Sequence, residues 1–156
     1  MKIDYFLEFP YAELRSQDGM SLFKICSYNY AYPDADNIYD LDWHRNYMIL
    51  HVPGFNAELN EVMLEGRAIN FYIQKLQSFS ALKKKRVIFE ASEPYFELTF
   101  SLDSRKKVEI QGTVQIPVGT GNKLLFEFET DLTYVDSFIN GLEDIIVEFP
   151  AKEMKY

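Results

Sequence analysis

The sequence predicts an α+β fold: a mostly antiparallel, twisted sheet of about seven to eight strands with two helices packed on one side. Three observations carry that expectation. Between Asn122 and Ile146 a strand pattern changes to a helix pattern within about two residues. Leu124, Phe126 and Phe128 alternate with Leu125, Glu127 and Glu129, the period of a strand with one buried face. Val135, Phe138, Ile139, Leu142, Ile145 and Ile146 then recur at helical steps. Second, a similar apolar stripe runs from Arg67 to about Leu82, through Ile69, Tyr72, Ile73, Leu76 and Phe79. Third, most of the remaining chain alternates apolar and polar residues between turn signals, as strands with one wet face do.

In order, Lys2 to Phe9 alternates through Ile3, Tyr5, Leu7 and Phe9 and reads as a first strand ended by Pro10. Asp18-Gly19 is a turn, after which Leu22 to Tyr28 has strand composition. Asn29 to Asp42 holds Pro33, four aspartates and three tyrosines and reads as a surface loop. Trp43 to Val52 and Phe55 to Leu64 form a hairpin about Pro53-Gly54. The first helix starts with Gly66 as N-cap, and Lys83, Lys84, Lys85 and Arg86 lie where cations offset its dipole. Val87 to Ala91 and then, beyond Pro94, Phe96 to Leu102 and Val108 to Ile116 continue the sheet. Thr130 or Asp131 stands at the N-cap of the second helix. No internal repeat is visible, and 156 residues with 47% hydrophobic content suit a single domain, 1–156, ending in a short polar tail over Ala151 to Tyr156.

Composition excludes several function classes. Asp4 and Glu8 interrupt any signal-peptide core, and no run approaches the roughly 18 apolar residues of a membrane span. Cys26 is the only cysteine, which removes disulfides and thiolate metal clusters and favours a reducing cytoplasm. A net charge of −8 opposes binding to nucleic acid and suits a basic protein partner.

The chemical motifs resolve into plain structure. Gly119 and Gly121 are one residue apart and lead into a strand, so they form a hairpin loop and not a phosphate cradle. Asp34, Asp36, Asp40 and Asp42 lack the glycine and terminal glutamate of a calcium loop. Beside Tyr30, Tyr32 and Tyr39 they suit protein recognition: tyrosine gives contact area with few rotors, and aspartates steer a basic partner. The expected partner-binding residues are therefore Tyr30, Tyr32, Asp34, Asp36, Tyr39, Asp40 and Asp42. His44 and His51 point to opposite faces of one strand and read as structural or surface residues, and Cys26 as a core residue. Glu127 and Glu129, about 7 Å apart, share the outer sheet face with Glu97 and Glu109. A hydrolase or small-ligand site there would need a pocket to raise a carboxyl pKa. A third alternative is an interaction module that pairs through its sheet edge.

The C-terminal half resembles a group of small bacterial proteins that includes WapI-type immunity proteins. The resemblance rests on the Trp43 strand with its hairpin, the helix around Phe71 to Leu76, and above all the ending GNKLLFEFETDLTYVDSFINGL. That ending is similar to the family's F-E-F-x-T-D-x-T-Y-L followed by an apolar helix, with Val135 in place of the leucine. It covers roughly Trp43 to Ile146. It implies a protein that binds and neutralises the toxin domain of a polymorphic bacterial toxin; together with the composition and motifs, the expectation is a non-enzymatic cytoplasmic protein without cofactor or metal.

Overall fold

In a computed structural model, which describes residues 2–153, the α+β expectation holds, with the eight strands divided between two sheets. Strands β1 (Tyr11–Arg15), β2 (Leu22–Tyr30), β3 (Trp43–Val52) and β4 (Phe55–Glu65) form one antiparallel meander. Strands β5 (Arg86–Glu90), β6 (Phe96–Leu102), β7 (Val108–Ile116) and β8 (Asn122–Thr130) form the other. Each meander ends in a long helix, α2 (Gly66–Ser80) and α3 (Leu132–Glu148), so the chain runs four strands and a helix twice. The repetition is one of architecture: nothing in the residue order announces it.

Both long helices turn the stripes expected of them inward. Ile69, Ile73, Leu76 and Phe79 of α2 are buried, as are Val135, Phe138, Ile139, Leu142 and Ile145 of α3. They meet the inner faces of both sheets in one apolar cluster. Its centre is aromatic: the Phe23 ring of the first sheet lies 5.3 Å from Phe96 of the second and 6.3 Å from Phe138 of α3. Phe100 packs 6.0 Å from both Phe79 and Phe138. Each such ring, wholly buried, contributes on the order of 2–3 kcal/mol. Helix α3 crosses β1 at Gly141, where a Cβ would lie 2.4 Å from the Tyr11 carbonyl oxygen and 2.5 Å from the Ala12 Cα. Only glycine allows that approach. The sheets meet at a corner, where the Gln17 amide donates to the Glu129 carbonyl (2.8 Å) and Thr130 Oγ1 to the Arg15 carbonyl (2.5 Å).

The N-terminal strand expected over Lys2 to Phe9 is instead a single helical turn, α1 (Tyr5–Glu8), and the first strand starts after Pro10. Asp4 decides this: its carboxylate and carbonyl both accept from the Leu7 amide, and its carbonyl also from Glu8. The half-buried residues are then Tyr5, Phe6 and Phe9, a helical spacing, while Leu7 is 84% exposed. Strand β2 also runs two residues beyond the expected Tyr28. Gly66 is the first residue of α2, with Glu65 at the N-cap making no side-chain capping bond.

Candidate partner-binding surfaces

The loop between β2 and β3 splits the seven expected partner-binding residues into two groups. Tyr32, Asp34, Asp36, Tyr39 and Asp40 are exposed, Tyr39 by 77%. Asn37 orders them: its Oδ1 accepts from the Tyr39 and Asp40 amides, and its Nδ2 donates to Asp40. The loop is pinned from outside by Trp43 Nε1 on the Tyr39 carbonyl and Arg67 Nη2 on the Ile38 carbonyl, each at 2.8 Å.

Asp42 and Tyr30 are committed within the fold. Asp42 is only 1% exposed; its Oδ2 accepts from the Arg67 amide (2.8 Å) and its carbonyl from Gly66 (3.1 Å). It thus caps α2 from 25 residues upstream, replacing the cap that Glu65 does not supply. Its Oδ1 accepts from the Lys152 amide at 2.9 Å. Tyr30 donates its hydroxyl to the Pro150 carbonyl (2.5 Å) and lies under the Lys152 ammonium at 3.8 Å. These two residues anchor the chain after α3, so the start of the expected polar tail is fixed; residues 154–156 lie outside the described residues.

Beneath the loop lies a buried polar network that no periodicity or motif in the sequence signals. β2 bulges at Tyr28, and β4 bulges opposite His44. Asn46, fully buried, accepts on Oδ1 from the Met63 and Leu64 amides of the β4 bulge, whose ladder partners are displaced. Its Nδ2 donates to the Cys26 carbonyl and Ser27 Oγ, and Ser27 Oγ bonds His44 Nδ1 at 2.9 Å. His44 is also fully buried, and burial pushes its pKa down to about 4, leaving a neutral ring packed against Tyr30 and Phe149. His51 is exposed and bonds Asn56. The two histidines take the separate faces and the structural roles expected of them. Among the described residues no three His, Cys, Asp or Glu side chains converge as metal ligands.

The outer faces of the two sheets differ. On the first, α1 lies over Tyr28 and Tyr47, with the Tyr5 ring stacked 4.4 Å from Tyr47. Cys26, register partner of Tyr11 and Tyr47, is sealed beneath, and burial pushes its thiol up to about 11. Lys24 sits between the Phe6 and Tyr11 rings and bridges Glu13, its cross-strand partner, at 3.9 Å. On the second sheet no helix among the described residues covers the outer face. Register places Glu129 beside Glu109 and Glu97 beside Glu90. The shared recess lined by Glu97, Gln111, Thr113, Leu125 and Glu127 is open to water. Glu127 and Glu129 thus lie on the outer face as expected, exposed and with no dry hollow over them. Periodicity located these carboxylates; only strand register could show that two pairs of them are directly opposed.

No helix among the described residues is long and apolar enough to cross a membrane. Among solved structures, one described as crystal structures of Trypanosoma brucei MRP1/MRP2 is similar in fold. Its TM-score is 0.50 at 10% identity, over 90% of this chain and 85% of that one. No curated protein matches the sequence. A family model described as the immunity protein WapI-like family matches residues 13–150, a span that takes in the end of β1 and all of β2 as well as the Trp43 to Ile146 stretch. The chain belongs to the WapI-like immunity protein family.

Proposed function

We propose that this protein is an immunity factor that binds the toxin domain of a bacterial polymorphic toxin and neutralises it by covering its active site. The single observation that carries the reading is the match to the immunity family over residues 13–150. The surface supports it: a net charge of −8 is spread over open faces, suited to a basic partner such as a nuclease domain. In this reading the chain works as one unit in the cytoplasm, by association and not by catalysis. A stable interface of about 1,600 Å² in total would suffice for occlusion.

The β2–β3 loop is one proposed point of contact. Tyr32 and Tyr39 offer exposed rings, and Asp34, Asp36 and Asp40 sit on a scaffold braced by Asn37, Trp43 and Arg67. Bracing limits the ordering cost of binding. Tyr30 and Asp42 act here from behind, by holding the loop and the chain after α3 in place.

The test is co-purification from native cells with mass identification of the bound protein, the product of the neighbouring reading frame being tried first. The expected result is a one-to-one complex with a toxin domain, and survival of cells that express both. A toxin domain that neither binds nor is silenced overturns the reading.

A further inference from the structure

We propose that the uncovered outer face of the β5–β8 sheet docks a basic protein surface that presents lysine or arginine side chains around an apolar anchor. The inference rests on the immunity reading for the nature of the partner and adds where and how that partner sits.

Cross-strand register sets three rows on this face, Glu129–Glu109–Ser101–Arg86, Glu127–Gln111–Thr99–Ile88 and Leu125–Thr113–Glu97–Glu90, and a shorter one, Lys123–Gln115, at its end. Together they hold five carboxylates and two cations, and none of the ion pairs among the described residues lies here. Two rows set like charges directly opposite one another, an arrangement that destabilises a sheet. The crowding reaches the acids themselves: burial and the adjacent Glu97 raise the Glu90 pKa. A face whose own charges repel gains most from a cationic cover. A nucleic acid would add to the repulsion.

On the other sheet α1 covers the part of the outer face around Tyr28 and Tyr47, and beside it the cross-strand charge pair is complementary, Glu13 with Lys24. Lys24 also lies 4.5 Å from the centre of the Phe6 ring. The covered face therefore shows what such a surface accepts: rings from above and a cation against its carboxylate. The uncovered one holds the carboxylates, with Leu125 (71% exposed) and Ile88 (38%) as the apolar points between them. Four strands at about 4.8 Å spacing and up to nine residues long give roughly 500 Å² of projected area, a large part of the about 800 Å² of accessible surface on one side of a standard interface.

The test uses the full chain, labelled with nitrogen-15, and an alternating lysine–leucine octapeptide as probe, with a serine–leucine octapeptide as control. The expected result is amide shifts clustered on β6, β7 and β8 with the lysine peptide alone. Its affinity should fall at least tenfold in the Glu109→Gln/Glu129→Gln double variant, which melts no lower than the parent. An Asp34→Asn/Asp36→Asn/Asp40→Asn variant should keep the sheet shifts. Shifts confined to residues 31–42, or equal binding by the double variant, overturn the proposal. The failure of the wider reading looks different: a toxin domain that is neither bound nor silenced discards immunity whatever the peptide does, whereas one silenced equally by parent and double variant keeps immunity and discards this face.

Discussion

The two halves of this molecule repeat one plan, four meandering strands and a helix, and finish it differently. The first half is the more closed: α1 covers part of its outer face, its Glu13–Lys24 pair is complementary, and a buried network of Ser27, His44 and Asn46 locks its bulged strands. The second half has a simpler interior, with Phe126 lying over Gly112, and an outer face of unpaired carboxylates. The two units thus differ in how far polar bonds fix the interior and in how much acidic sheet face is left open to water.

The sharpest way to break the closed half is at Asn46. Asn46→Leu leaves the Met63 and Leu64 amides buried without an acceptor, and should cost about 3 kcal/mol in denaturant unfolding. A cost below about 1 kcal/mol would show that the bulge finds other partners. His44 gives a pH signature of nearly the same size. Its folded pKa of about 4 lies below the 6.5 of the unfolded chain, so at pH 7 the ring is neutral in both states. As pH falls from 6.5 towards 4 only the unfolded state binds the proton, and stability drops by up to about 3 kcal/mol. His44→Gln should remove that drop, measured as the difference between parent and variant across the window.

Capping provides a smaller contrast between the halves. Helix α3 is capped locally, Asp131 Oδ1 accepting from the Tyr134 amide at 2.9 Å, whereas α2 depends on Asp42 across the fold. Asp42→Ala should cost about 2 kcal/mol, because the Lys152 amide loses its acceptor too, against about 1 kcal/mol for Asp131→Ala. Equal costs would mean that the chain after α3 does not depend on Asp42. The smallest effect has the opposite sign. Glu109→Lys turns a repelling pair with Glu129 into an attracting one and should stabilise by about 0.5 kcal/mol, less at high salt.

What was legible in the sequence follows from how local each cause is. Strands β3, β4 and β6 to β8, the two long helices and the Asp131 cap all show in residues that are neighbours along the chain. The N-terminal turn was missed because Ile3, Tyr5, Leu7 and Phe9 fit a strand period as well as Tyr5, Phe6 and Phe9 fit a helical one; the Asp4 cap decides between them. The split into two sheets depends on pairing partners, which alternation does not specify. Asp42 looked like a member of an acidic loop because its partners, Arg67 and Lys152, lie 25 and 110 residues away. The loop tyrosines and aspartates were located by composition, but which of them face water was set by tertiary contacts.

If an open, acidic unit meets a basic partner, the association rate of the full chain with its toxin domain must depend on ionic strength. That rate should fall at least tenfold between about 20 and 500 mM salt, with a shallower dependence for the Glu109→Gln/Glu129→Gln variant. A rate indifferent to salt and equal in both proteins would contradict it.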